Sequence, residues 1–112
     1  MNSELMRGAT ETIILKLLNE RAMYGYEIIK QVNERTDNAF AWKEGTLYPC
    51  LHRLEGAGII AGEWREGDAG KPRKYYLLTH KGTVLASEKA AEWSAFSSAM
   101  NTLMLQPNKA TA

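Results

Sequence analysis

Two stretches of this chain hold side chains suited to gripping a polyanion. Residues 44–58 read Glu-Gly-Thr-Leu-Tyr-Pro-Cys-Leu-His-Arg-Leu-Glu-Gly-Ala-Gly. Leu47, Leu51 and Leu54 fall at i, i+4 and i+7, one apolar stripe of a short helix. Thr46, Tyr48, Pro49, His52 and Arg53 are then left on or near the outer surface. Such a face offers hydrogen bonds to base edges and phosphates in a major groove of double-stranded DNA. Taken alone, it is also what an ordinary solvated helix presents. The second stretch, residues 67–74, places Lys71, Arg73 and Lys74 beside Gly67 and Gly70. Three cations in four positions can reach phosphates, and an arginine can enter a minor groove. The glycines permit close backbone approach and positive φ. A solubilising loop would look similar, but its place directly after such a helix favours binding.

Charge supports that reading locally. The whole chain carries a formal net charge of only +1. Within residues 65–81, five basic residues face Glu66 and Asp68, a net +3, which leaves −2 for the remainder. A local basic patch matters more for phosphate contact than the sum over the chain. Catalysis finds no constellation. Cys50 and His52 are two apart on a helix and point apart, so Cys50 is expected to be a small buried or half-buried residue. One cysteine and the distant His52 and His80 offer no metal spacing and no internal disulfide. The segment Gly67-x-x-Gly70 is too short for a phosphate-cradling loop, and no cofactor is implied.

The elements that must position these residues follow from periodicity. A length of 112 residues and a 45% hydrophobic share fit one globular domain. No apolar run approaches the roughly 20 residues of a membrane span, and the start lacks a secretory pattern, so a cytoplasmic protein is expected. Residues 1–8 are expected to be loosely ordered. Ile13, Ile14, Leu17 and Leu18 mark a helix over about 9–20, and residues 21–23 break it. Ile28, Ile29 and Val32 mark a second helix over about 25–36, with Glu27 among its water-facing residues. Gly25, between two tyrosines, suggests a tight approach at its start. Asp37-Asn38 signals a turn, and residues 39–43 alternate as in a short extended segment. The third helix starts near 44–46 and ends near 56–58. Pro49 is placed early in it, where a missing N–H costs little.

A hairpin follows, with strands over 59–65 and 73–78 and a loop over 67–72. Thr79 is the expected N-cap of a last helix over about 80–105, stopped by Pro107. A helix followed by a basic-tipped hairpin is the layout of a winged helix-turn-helix. The fold class is therefore α+β, mainly α. The division is a DNA-binding domain over 1–79, a dimerisation helix over 80–106 and a flexible tail over 107–112.

The last helix carries Val84, Leu85, Trp93, Phe96, Met100, Leu103 and Met104 at its apolar positions. A winged-helix core does not need a helix this long to close itself. An exposed apolar stripe usually marks a partner surface. A symmetric homodimer is the simplest solution, its helix packing on the partner's N-terminal helix through Leu85, Trp93, Phe96, Met100 and Leu103. Trp93 is then either interface core or the flat wall of a ligand pocket.

Several segments resemble the PadR family of bacterial transcriptional regulators. They are Tyr24-Gly25-Tyr26-Glu27-Ile28-Ile29, Glu44-Gly45-Thr46-Leu47-Tyr48-Pro49, Leu51-His52-Arg53-Leu54-Glu55, and Gly70-Lys71-Pro72-Arg73-Lys74-Tyr75-Tyr76 with Leu78-Thr79 and Gly82. The resemblance covers about residues 5–105, and its short single C-terminal helix is similar to that of the smaller subclass. It implies a homodimer joined by the C-terminal helix that binds pseudo-palindromic operators and usually represses. In multidrug-responsive members of that subclass, paired tryptophans sandwich flat aromatic compounds at the dimer centre. Trp93 matches that position within Ala91-Glu92-Trp93-Ser94. Ser97 stands where such a relative has an acidic residue, and Glu11 is the candidate to face the pore from the first helix.

The expected function is thus a homodimeric DNA-binding repressor, with a planar aromatic molecule at the dimer centre as the candidate effector and its release of DNA left open. Thr46, Tyr48, Pro49 and Arg53 would meet the major groove. Lys71, Arg73 and Lys74 would meet phosphates or the minor groove. The alternative is a winged-helix module that binds a protein instead of DNA.

Overall fold

The computed structural model describes residues 3–107. The expected tail therefore lies, from residue 108 onward, outside the described residues. The chain runs α1 (Ser3–Arg7), α2 (Thr10–Glu20), β1 (Met23–Tyr24), α3 (Gly25–Arg35), α4 (Glu44–Gly56), β2 (Ile60–Glu66), β3 (Pro72–Leu78) and α5 (His80–Met104). Ser3–Arg7 form a short helix where residues 1–8 were expected to be loosely ordered, residues 1–2 lying outside the described residues. Met6 packs against the core and its carbonyl accepts from Thr10 Oγ1 at 3.2 Å, which ties α1 to α2.

Helix α2 buries Ile14, Leu15, Leu17 and Leu18, a stripe wide enough to touch α5, α3 and α4 at once. Leu15, absent from the expected stripe, is fully buried, while Ile13 packs at its margin. Helix α3 turns Ile28 and Val32 inward. Glu27, expected toward water, is half-buried and paired with Arg21. The loop after α3 is not extended. Asp37, Asn38 and Ala41 have φ of 49°, 61° and 47°, left-handed values that fold the backbone tightly. Trp42 is buried beneath this loop. Its backbone N–H donates to Asn33 Oδ1 at 2.7 Å, and its carbonyl accepts from Asn33 Nδ2 at 3.0 Å. One asparagine thereby fixes the turn between the two helices of the helix-turn-helix.

Helix α4 buries Leu47, Cys50, Leu51 and Leu54. Pro49 is its sixth residue, beyond the first turn where it was expected. Proline has no N–H, so the carbonyl of Gly45 loses its i+4 donor, at an exposed position open to solvent.

Residues 21–24 do more than break a helix. Met23 and Tyr24 form β1 and pair with Tyr76 and Tyr75 of β3. The sheet is antiparallel in the order β1-β3-β2, with Ile60 opposite Leu78 and Glu66 opposite Pro72 at the hairpin's ends. A single 3-10 turn, Asp68–Gly70, caps the hairpin, with Ala69 and Gly70 at φ 60° and 75°. Side chains alternate across a strand. Met23, Ile60, Tyr76 and Lys74 therefore share the face turned to the core, and Tyr24, Tyr75, Arg73 and Arg65 share the outer face.

Thr79 caps α5 as expected, its hydroxyl accepting from Gly82 N at 3.1 Å. Gly82 is buried against the Ile59 carbonyl, where a Cβ would overlap that oxygen. Ala86 is buried and Leu85 packs on the protomer's own core. Beyond them α5 runs on roughly 27 Å at 1.5 Å per residue. Along that length Trp93, Phe96, Met100, Leu103 and Met104 are exposed. The molecule is accordingly long and narrow, 69 × 28 × 21 Å.

Candidate nucleic-acid interface

The outer face of α4 is open. Thr46, Tyr48, Pro49, His52 and Arg53 are all exposed, because Leu47, Leu51 and Leu54 fix the opposite face in the core. Two of these side chains are positioned. The Tyr48 ring lies over Gly25 at the start of α3, close enough that a Cβ there would overlap its hydroxyl. Burial pushes the Tyr48 hydroxyl above its ordinary pKa, and Glu44 and Tyr76 add to the shift. Arg53 donates to Cys50 Sγ at 3.3 Å. Burial raises the Cys50 thiol, and Arg53 only partly opposes it. A buried thiol with a raised pKa is a packing residue, not a nucleophile.

The wing's three cations have different settings. Lys71 is exposed at the turn, where Gly67 N donates to its carbonyl at 2.8 Å. Arg73 lies on the outer face with its guanidinium 4.5 Å from the Tyr24 ring centroid. It also donates to the Tyr24 hydroxyl at 3.1 Å and pairs with Asp68 at 3.6 Å. Arg65, on the same face, sits 4.7 Å from the Tyr75 centroid. Tyr24 and Tyr75 meet edge to face at 5.4 Å, so arginines and tyrosines form one packed outer layer. Lys74 points the other way. It donates to Glu55 Oε1 at 2.9 Å and lies 5.3 Å from the Tyr76 centroid, and the Glu55 bond raises its pKa. The sequence reading gave Arg73 and Lys74 one role. Adjacent strand residues face opposite sides, and that alternation was the signal to separate them.

Two clefts lie beside the helices away from the wing. A cleft of about 700 Å³ opens between α1, α2 and α5, walled by Leu5, Met6, Phe40, Trp93 and Phe96 with Glu92 at its edge. A smaller one of about 310 Å³ continues toward Val32, Thr36 and Arg35. Trp93 lines both, 5.8 Å from Phe96 between centroids. Glu11 and Ser97 line neither. Glu11 pairs with Lys89 at 3.9 Å, and the Ser97 hydroxyl donates to the Ser94 carbonyl at 3.2 Å. The cleft's carboxylates are instead Glu4 and Glu92, and Phe40 is its unforeseen aromatic wall, brought there by the left-handed loop.

The sequence profile of the Transcriptional regulator PadR-like family matches residues 14–88. The chain belongs to this family. An uncharacterized protein of Lysinibacillus sphaericus is 39% identical over 94 residues, 84% of this chain and 86% of its own. A transcriptional regulator of Mycobacterium tuberculosis is 31% identical over 85 residues, 76% of each chain. The crystal structure of a PadR-like transcriptional regulator from Bacillus cereus superposes with a TM-score of 0.83 at 30% identity, covering 93% of this chain and 99% of that one. The PadR-like chain is therefore a transcriptional regulator with the winged-helix fold, not an enzyme. Among the described residues no helix is long and apolar enough to cross a membrane.

Proposed function

We propose that this PadR-like regulator is a homodimeric repressor that inserts α4 into the major groove of a pseudo-palindromic operator. Thr46, Tyr48, Pro49 and Arg53 meet the groove, and Lys71 and Arg73 of the wing meet phosphates beside it. The observation that carries the reading is the open polar face of α4 flanked by a hairpin with its arginines on the outer layer. Two copies associate along α5, where Trp93 and Phe96 are 52% and 57% exposed in the protomer. A contiguous exposed apolar stripe usually marks a partner surface. A two-fold axis then sets two α4 helices at the half-site spacing of one DNA turn.

The test is fluorescence anisotropy with the protein's own upstream DNA and a scrambled control, at several stated salt concentrations. Selective binding is expected, with Arg73→Ala weakening it and lowering the salt slope by about 0.9 per lost phosphate contact. Equal, salt-labile binding to both DNAs would favour the protein-interaction module instead.

The effector reading is a planar aromatic molecule held against Trp93, supported by the apolar cleft that this ring lines. Dye quenching tests it in wild type and Trp93→Phe. Trp64 is also exposed, on the wing, and Trp42 is buried, so only the difference between the two proteins reports the site. Quenching that survives the substitution places the dye elsewhere.

A further inference from the structure

Lys74 carries the same charge as Lys71 and Arg73 but sits on the wrong side of the sheet to share their task. We infer that Lys74 is a positioning residue, bridging the wing to the recognition helix through Glu55 and setting the angle between them. The inference rests on the DNA-binding reading above.

The geometry of the joint supports a built contact. Glu55 lies in the last turn of α4, and Lys74 lies mid-strand in β3. They bond at 2.9 Å close beside Gly62 of β2. A Cβ there would overlap Lys74 Cε and stand 3.0 Å from Glu55 Oε2 and 3.2 Å from Lys74 Nζ. A side chain at residue 62 would displace the lysine stem from its present path. The stem also runs along the Tyr76 ring, 5.3 Å from ammonium to centroid. Both partners are half-buried, with 31% and 33% of their side-chain surface exposed. Partial burial makes the pair less screened than a surface bridge. The base of the hairpin is held by the core through Ile60 and Tyr76, but β1 pairs only with Tyr75 and Tyr76, so no third strand flanks the distal part of β3 that carries Lys74.

The two roles for Lys74 predict opposite signs for one substitution. If Lys74 were a phosphate ligand held back by Glu55, Glu55→Gln would free it and remove a negative charge near DNA, so affinity would rise. As a brace, the same change loosens the wing and lowers operator affinity by roughly three- to tenfold. Lys74→Met is expected to weaken binding similarly while leaving the salt slope unchanged, where a lost phosphate contact would lower it by about 0.9. Gly62→Ala should reproduce Glu55→Gln, because the displaced atoms belong to a flexible side chain and not to the backbone. The double variant Glu55→Gln with Lys74→Met should bind no worse than the weaker single variant.

A measurement without DNA separates this inference from the reading it rests on. Amide hydrogen exchange of residues 62–74 in the free protein should quicken in Glu55→Gln and in Lys74→Met, with α2 and α3 unchanged. Failure of the wild type to select its operator would sink the repressor reading and leave the exchange result to decide the brace. Unchanged wing exchange, or an affinity in Glu55→Gln equal to or above wild type, would overturn the brace.

Discussion

Gly25→Ala is the substitution whose sign the structure decides against local propensity. Gly25 opens α3, and alanine is the better helix former by about 1 kcal/mol in a helix interior. Propensity alone therefore expects a gain. The packing expects a loss. A Cβ at residue 25 would overlap the Tyr48 hydroxyl and stand 2.7 Å from Cζ and 3.0 Å from Cε1. Carbon atoms rest at about 3.5–4.0 Å, so the ring must retreat by roughly 1 Å. Overpacking of this kind costs about 1–3 kcal/mol. Tyr48 is 43% exposed and can swing partly outward, which sets the cost at the lower end. Gly25 is the first residue of α3 and not interior, so the helix gain there is about 0.5 kcal/mol; against an overpacking cost of about 1.5 kcal/mol the net expectation is a destabilisation of about 1 kcal/mol. In a Tyr48→Ala background the obstruction is gone, and the same change should stabilise by about 0.5 kcal/mol. Urea unfolding followed by far-UV circular dichroism, at one fixed protein concentration because association shifts stability, closes the cycle. A coupling near 1.5 kcal/mol is expected. An effect of equal sign and size in both backgrounds would refute the argument, since it would mean that the ring does not seat on Gly25.

Three other outcomes follow from named contacts. Tyr24→Phe removes the 3.1 Å bond from Arg73 but keeps the ring beneath the guanidinium, so it should weaken operator binding less than Tyr24→Ala, as titration of both variants would reveal. Burial holds the Tyr48 hydroxyl above its ordinary pKa, so the folded state keeps that proton longer than the unfolded chain. Its contribution to stability is complete below about pH 10 and lost as pH rises beyond it; thermal unfolding between about pH 9 and 11 should fall less steeply in Tyr48→Phe. Phe96→Glu should abolish the proposed association along α5 in analytical ultracentrifugation with helicity retained, because Phe96 is 57% exposed within the protomer.

The helices and the hairpin were legible because their signals are local. A 3.6-residue period set α2, α3 and α4, Thr79 marked the start of α5, and glycines flanked by alternating strands marked the wing. The same regularity failed where a side chain's partner lies far along the chain. Nothing near residue 23 announces β1, whose existence depends on Tyr75 and Tyr76 some fifty residues later. Phe40 reaches the cleft because three residues adopt left-handed backbone, at positions where no glycine advertises it. Glu11 and Ser97 were assigned to a dimer-centre pore by resemblance; within one protomer Glu11 pairs with Lys89 and the Ser97 hydroxyl donates to the Ser94 carbonyl.

What the sequence by itself determined was the order of the four longer helices and the hairpin, most of the apolar face of each of α2, α3 and α4, and the family. These depend on side-chain type and spacing, which the chain carries with it. What only the tertiary structure decided was the division of labour among the wing's cations. Lys71, Arg73 and Lys74 are equivalent as charges in a string. They become different when the sheet pairs with α4 on one face and leaves the other to tyrosine. Charge is a property of a residue. The group that meets it is set by the fold, because a hydrogen bond is made only over a few ångströms in space, whatever the separation along the chain.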